Sequence, residues 1–265
     1  MKKHAKKYFI IFLFLYSYYL YTSLFNIFIN KDYIVFLNAG QGDSILLASN
    51  GKYLLIDGGA SSYSLNTLYR YTNYTFPKNI LITHFHFDHI SGLLSLLNNQ
   101  SYYDIYISES SSKNKLYSKY FKNLTANNIK TVIQNDSIKL ENLNIKVLWP
   151  PINCKNVDLN YCSVALLVKK GEKSALLLSD NPEEVQFNYK QYVDDNIEII
   201  KVPHHGSVNS FNQSLLSNAN LKYAVFTVGG DQKNILNSKV AYFYNKKALN
   251  GVYYTYNGDL IYFFE

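Results

Sequence analysis

Apolar positions along the chain follow two different patterns. From Tyr8 to Ile29 they run almost unbroken and without a charge. Beyond residue 31 they fall into short runs closed by Gly, Asn, Asp and Ser, the pattern of strands buried on both faces. Strands are predicted over 33–38, 44–48, 53–56, 80–83, 104–107, 131–133, 145–148, 163–169, 174–179, 197–202, 223–228, 252–255 and 260–264. Helical spacing is predicted over 63–72, 90–98, 113–124, 183–192 and 210–217. Strands mixed with helices occur in both halves, and no linker rich in Gly, Pro or Ser separates them. Residues 31–265 therefore read as one α/β domain made of two similar halves. The expected architecture is a four-layer αββα sandwich with helices outside two sheets.

Residues 1–30 read as a separate unit. A helix over residues 8–29 would rise about 33 Å, enough to cross a hydrocarbon core of about 30 Å. Lys2, Lys3, Lys6 and Lys7 precede it with no acid. That order predicts a cytoplasmic N-terminus, a single-pass anchor in the cell membrane and a domain on the extracellular face. The alternatives are a cleaved signal peptide with a secreted domain, and a buried helix of a soluble protein. The stretch is longer than such a peptide needs and lacks an Ala-x-Ala-like site.

Those four lysines account for more than half of the net charge of +7. The basic balance therefore does not by itself call for a nucleic-acid partner. A hydrophobic content of 48% and a charged content of 17% exclude a disordered chain, and two cysteines exclude a disulfide scaffold. Cys154 and Cys162 are either a disulfide in an exported domain or two buried thiols, and no C-x-x-C pair exists.

Five of the six histidines fall into two clusters, each after a predicted strand. The first is ILITHFHFDHISGL (80–93), with His84, His86, Asp88 and His89 between a strand and a helix predicted to begin near Ile90. His84 and His86 can share one side of an extended turn, with Asp88 and His89 pointing elsewhere. Such a split suits two metal ions, and imidazole with carboxylate suits zinc, iron or manganese. Three His and an Asp so close together are poor core residues unless paired. The second cluster is EIIKVPHHGSVNS (198–210). In extended backbone His204 and His205 would point to opposite sides, so one is expected to ligate and the other to meet substrate or leaving group. Asp180 ends the apolar run ALLLSDN (175–181), where an acid needs a partner. It is read as bridging two cations, with a turn cap as the bland alternative. Asp57, at the end of YLLIDGG (53–59), reads as a turn residue or one placed behind the ligands.

HFHFDH matches the HxHxDH signature of the metallo-β-lactamase superfamily. A longer ordered set resembles the metallo-hydrolase domain of ComEC-type competence proteins. It comprises VFLNAGQGDSILL (35–47), LLIDGG (54–59), ITHFHFDHISGL (82–93), NYCSVALLV (160–168), LLLSD (176–180), IIKVPHHGSVNS (199–210), FTVGG (226–230) and YYTYNGDLIYF (253–263). The resemblance implies an αββα fold with metals at the edge between the sheets, and a hydrolase acting on DNA phosphodiesters during uptake. It implies His84 and His86 on one metal, Asp88 and His89 on the second, Asp180 bridging, and the last ligand from His204-His205.

Two divalent ions are expected, zinc first and manganese second, with no organic cofactor and no inferable protein partner. An activated hydroxide would attack phosphorus, oriented by Asp88 or Asp180. His204 or His205 would help the leaving oxygen, and Ser207 with N–H groups beside Gly206 would hold phosphate. Asp43, Asp57 and Asn160 are expected behind the ligands. Three positions depart from the family pattern. No His lies between His89 and His204, Asn38 replaces an acid, and Ser238 stands where a His would. The alternatives are an exported hydrolase of a small ester, lactam or nucleotide, and a catalytically degenerate protein that tethers DNA.

Overall fold

The structure, a computed structural model, describes residues 2–97, 104–109, 119, 129–155, 158–230 and 236–265. Among these, fourteen strands form two mixed seven-stranded sheets. The first sheet contains β1 (Asp32–Phe36), β2 (Ile45–Ser49), β3 (Lys52–Ile56), β4 (Asn79–Ile82), β5 (Asp104–Ser108), β6 (Ile129–Val132) and β14 (Leu260–Phe263), in the order β14-β1-β2-β3-β4-β5-β6. The second contains β7 (Ser137–Leu140), β8 (Leu143–Trp149), β9 (Ala165–Lys170), β10 (Lys173–Leu177), β11 (Ile197–Lys201), β12 (Tyr223–Phe226) and β13 (Val252–Tyr254), in the order β13-β12-β11-β10-β9-β8-β7. Each strand expected from the sequence has an observed counterpart. The short β7, between the polar pairs Asn135-Asp136 and Glu141-Asn142, was not anticipated.

Period-two alternation fixes the layers. In β1, Ile34 and Phe36 face the second sheet, where they join Ile145, Leu166, Val168, Leu177 and Ile199 in one buried cluster. Tyr33 and Val35 face outward and pack with Leu65 of α2 (Tyr63–Leu68) and with Ile90 and Leu93 of α3 (Phe87–Leu97). The outer face of the second sheet packs on Val185 of α4 (Glu183–Gln186) and on Val240 and Tyr244 of α5 (Ser238–Lys247). Helices thus cover both sheets, and each fully buried aliphatic side chain stabilises by about 1.5–3 kcal/mol. The hairpin between β2 and β3 turns at Asn50-Gly51, both with positive φ (45° and 73°), as a tight I′-type turn requires.

The helices differ more from expectation. α3 begins at Phe87 rather than near Ile90, so Asp88 and His89 occupy its first turn. The segment expected to be helical over 210–217 instead forms short 3₁₀ turns at Val208–Ser210 and Gln213–Leu216. α5 was not anticipated. Its SKVAYFYNKK sequence mixes β-branched and aromatic residues, and the Asn237 side chain starts it by accepting from Lys239 N–H and Val240 N–H. The helix expected over 113–124 lies outside the described residues apart from position 119.

The N-terminal segment is helical as α1 (Lys2–Ile29), which ends where Phe28 packs against Tyr33, Tyr71 and Phe263. Phe9, Phe12, Phe14 and Leu15 are exposed. Among the described residues no helix is long and apolar enough to cross a membrane. Hydroxyl-bearing residues such as Tyr16, Ser17, Tyr18 and Tyr19 dilute the apolar run. Cys154 and Cys162 form a disulfide rather than two separate thiols.

Candidate metal centre

The cluster sits at the carboxyl ends of strands from both sheets. Asp57 follows β3, and Thr83 and His84 follow β4. Ser179 and Asp180 follow β10, Lys201 ends β11, and Thr227 follows β12. β3 and β4 are parallel, as are β10, β11 and β12, so these ends meet at one edge. Ligand sites concentrate at such edges. The loop between β1 and β2 closes the edge from the side. A Cβ on Gly42 would lie 1.7 Å from the Asp88 carbonyl oxygen, so only glycine allows that approach.

One oxygen organises the centre. Asp180 Oδ2 lies 3.3 Å from His89 Nε2, 3.4 Å from His205 Nε2, 3.8 Å from His204 Nε2 and 3.9 Å from His84 Nε2. Asp88 Oδ2 lies 3.5 Å from His205 Nε2 and 4.0 Å from His89 Nε2. His86 Nδ1 is 3.0 Å from His84 Nε2. Asp88, His89, Asp180 and His205 offer ligand atoms within 4.8 Å of one another, sufficient to hold a divalent ion.

The hydrogen bonds behind the imidazoles fix which nitrogen faces inward. Thr83 Oγ1–H donates to Asp57 Oδ2 (2.6 Å), so Thr83 Oγ1 in turn accepts from His84 Nδ1–H (3.1 Å). His89 Nδ1–H donates to Asp57 Oδ2 (2.7 Å). Thr227 Oγ1–H donates to Asp43 Oδ1 (2.7 Å), so it accepts from His205 Nδ1–H (3.0 Å). In each case Nε2 is the nitrogen turned to the centre, as metal-ligating imidazoles require. His205 Nε2 is buried and makes no hydrogen bond among the described residues. A cation is the partner that this orphaned atom and the facing carboxylates lack.

The charges agree with that fit. Burial opposes charging of His89, but Asp180 and Asp57 raise its pKa well above the ordinary imidazole value. Burial also opposes charging of His205, yet Asp180 pushes it up to about 9. Burial and the neighbouring His89 drive His84 well below the ordinary value. Asp180 is held well below the usual carboxylate range by His205, His89 and Lys201 against the effect of burial. The pocket therefore draws positive charge inward, a demand that a divalent ion meets.

The expectation for His204-His205 needs correction. Both have left-handed backbone (φ 47° and 53°) rather than the extended geometry assumed from sequence. Both imidazoles consequently face Asp180. His205 is buried, and His204 is half-buried with Nδ1 3.4 Å from Ser210 Oγ. Gly206 continues the corner with φ 91°, and a Cβ there would strike the Phe226 ring at 2.7 Å.

Ser207 is engaged by the corner itself, its N–H donating to His204 O and its Oγ accepting from Asn209 N–H. Asn160 adjoins the site through its backbone carbonyl, which accepts from Asn181 Nδ2 and Ser163 Oγ. Three contributors were not singled out from sequence: Thr83, Thr227 and Lys201. Lys201 had a usable signal, a cation inside the apolar run EIIKV, which burial demands be paired.

Residues 36–201 match the profile of a family described as Anti-Pycsar protein Apyc1. None of the curated proteins compared matches the sequence. Solved structures share the fold at low identity. The metallo-beta-lactamase fold protein YhfI from Bacillus subtilis is 13% identical, covers 88% of this chain and 100% of its own, and gives a TM-score of 0.57. Zn(2+)-bound PqqB from Methylobacterium extorquens is 12% identical over 87% of this chain and 99% of its own, with a TM-score of 0.58. Unliganded yeast PDE1 is 12% identical over 88% of this chain and 99% of its own, also with a TM-score of 0.58.

Proposed function

Because the chain belongs to the Anti-Pycsar protein Apyc1 family, we propose that it is a metal-dependent phosphodiesterase of the metallo-β-lactamase fold, acting on a nucleotide phosphodiester. The observation that carries this reading is the convergence of four imidazole Nε2 atoms on Asp180 Oδ2. The likeness of the fold to PDE1 supports a phosphodiester, and the likeness to zinc-bound PqqB supports zinc.

His84, His86 and Asp180 would hold one divalent ion, and Asp88, His89, Asp180 and His205 a second. Ions so held lower the pKa of a water and polarise a phosphoryl oxygen. Asp88, on the half-exposed side of the cluster, orients the attacking water. His204, the imidazole of its pair that reaches solvent, is placed to hand a proton to the leaving oxygen. The Ser207 hydroxyl keeps its proton free to donate to a phosphate oxygen, since its oxygen accepts from Asn209.

Attachment to a membrane through α1, with the domain outside the cytoplasm, belongs to the same proposal. The exposed apolar side chains of α1 support it. So does the Cys154–Cys162 disulfide, a bond that persists in oxidising compartments. Carbonate extraction of membranes tests it, and release of the chain into the soluble fraction would refute it.

The activity is tested on the full chain loaded with zinc or manganese. The panel holds purine and pyrimidine cyclic mononucleotides, linear dinucleotides, single- and double-stranded DNA, and small esters and lactams. The DNA arm tests the likeness to ComEC-type domains. Metal-dependent cleavage of a phosphodiester is expected, abolished by chelator and by His86→Ala. Full metal occupancy without cleavage of any phosphodiester would refute it.

A further inference from the structure

Lys201 is fully buried at the end of β11, an unusual place for an ammonium. Its three donors are matched by three acceptors. They are Ser179 O at 2.7 Å, Asp43 Oδ2 at 2.8 Å and Asp180 Oδ1 at 3.2 Å. The side chain therefore occupies the oxygen of Asp180 that points away from the histidines. Oδ2 alone is left to face the Nε2 atoms of His84, His89, His204 and His205.

Asp43 connects this contact to a second ligand. Its Oδ2 takes Lys201, and its Oδ1 takes the Thr227 hydroxyl, whose oxygen accepts from His205 Nδ1–H. One carboxylate from the loop of the first sheet thus indexes both Asp180 and His205, which belong to the second. Lys201 also supplies a cation between the buried carboxylates Asp43 and Asp180, which belong to two groups that share His89. Without it, Asp180 Oδ1 and Asp43 Oδ2 would be left buried without their counter-charge, and nothing would fix the rotation of the Asp180 carboxylate.

We infer that Lys201 is a positioning residue of the candidate metal centre, holding Asp180 so that Oδ2 faces the imidazoles and, through Asp43 and Thr227, fixing His205 in register with it. The inference rests on the metal-dependent reading above. Residues behind metal ligands commonly change affinity by about 10–100-fold when altered.

The test uses the full chain. Lys201→Met keeps the length of the side chain and removes its charge and donors, and Asp43→Asn removes the counter-charge while keeping the shape. Metal affinity is measured by competition with a chromogenic chelator. Ion stoichiometry is measured by elemental analysis, and ligand geometry by the visible spectrum of the cobalt(II)-loaded protein. Lys201→Met is expected to bind metal at least tenfold more weakly, to retain fewer ions per chain and to show an altered cobalt spectrum. Its circular dichroism should be that of the parent. Asp43→Asn should move the same readouts in the same direction, and it carries the test if Lys201→Met does not fold. A folded variant with the parent's metal affinity and cobalt spectrum overturns the role of Lys201 alone. A parent chain that binds no metal overturns both this inference and the hydrolase reading.

Discussion

His89 Nδ1 lies 2.7 Å from Asp57 Oδ2, although Asp57 follows β3 and His89 sits in the first turn of α3. Asp57 also accepts from Thr83 N–H at 2.8 Å and Thr83 Oγ1–H at 2.6 Å, so a single carboxylate sets the tautomers of His84 and His89 together. Asp57→Asn exchanges one acceptor oxygen for a donor and disturbs both imidazoles. Metal affinity and kcat/KM are expected to fall by about 10–100-fold. Metal titration and steady-state kinetics check it, and unchanged values for both would refute the role.

Gly206→Ala meets two obstacles. Its φ of 91° is unfavourable for an L side chain, and the added Cβ would press on Phe226 and Leu236. A loss of about 1–3 kcal/mol is expected in urea unfolding, with a displaced His205. A variant as stable as the parent would show that the corner relaxes freely.

Asp32 joins the two sheets. It accepts from Ser49 Oγ and Asn142 Nδ2 and pairs with Lys170 Nζ at 2.8 Å. Burial alone would raise its pKa, but Lys170, Ser49 and Asn142 outweigh burial and lower it below the ordinary value of 3.8. A carboxylate depressed in the folded state stabilises fully above its unfolded pKa, and that contribution is lost as pH falls through the folded one. Asp32→Asn should therefore cost about 1–3 kcal/mol at pH 7. The gap should close as the pH is lowered below 3.8. Urea titrations of both proteins across that range check the sign, and a gap that widens in acid would contradict it.

The Cys154–Cys162 bond closes a short loop that contains Asn160. Loop-closure entropy assigns such a bond about 2–3 kcal/mol. A Cys154→Ala/Cys162→Ala variant should show a lower Tm by that measure, and reductant should lower the Tm of the parent but not of the variant. Equal melting of the oxidised parent and the variant would remove the stabilising role.

The strands were legible because runs such as YIVFLN and SILLA are apolar on both faces, which only a doubly covered sheet satisfies. The residues of the candidate centre were legible because His and Asp crowded just after apolar strands have few structural uses. Two kinds of feature escaped. α5 was hidden because its aromatic residues suit a strand as well as a helix, and its packing on the second sheet decided the outcome. The direction of His204 and His205 depends on backbone dihedrals that residue identity does not reveal. Lys201 stood out as a cation in the apolar run EIIKV, but its partners Asp43 and Asp180 lie far away in the chain and meet it only after the sheets have stacked.

The carboxylate of Asp43 ties together parts of the chain that are made at very different times, since it holds Lys201 and Thr227. The first sheet supplies His84, His86, Asp88 and His89, whereas Asp180, His205 and Thr227 are synthesised much later. A chain still emerging from the ribosome would carry half a pocket and hydrolyse nothing. Fragments divided near Pro150 would each be silent, and activity regained on mixing them would report that the halves had found one another.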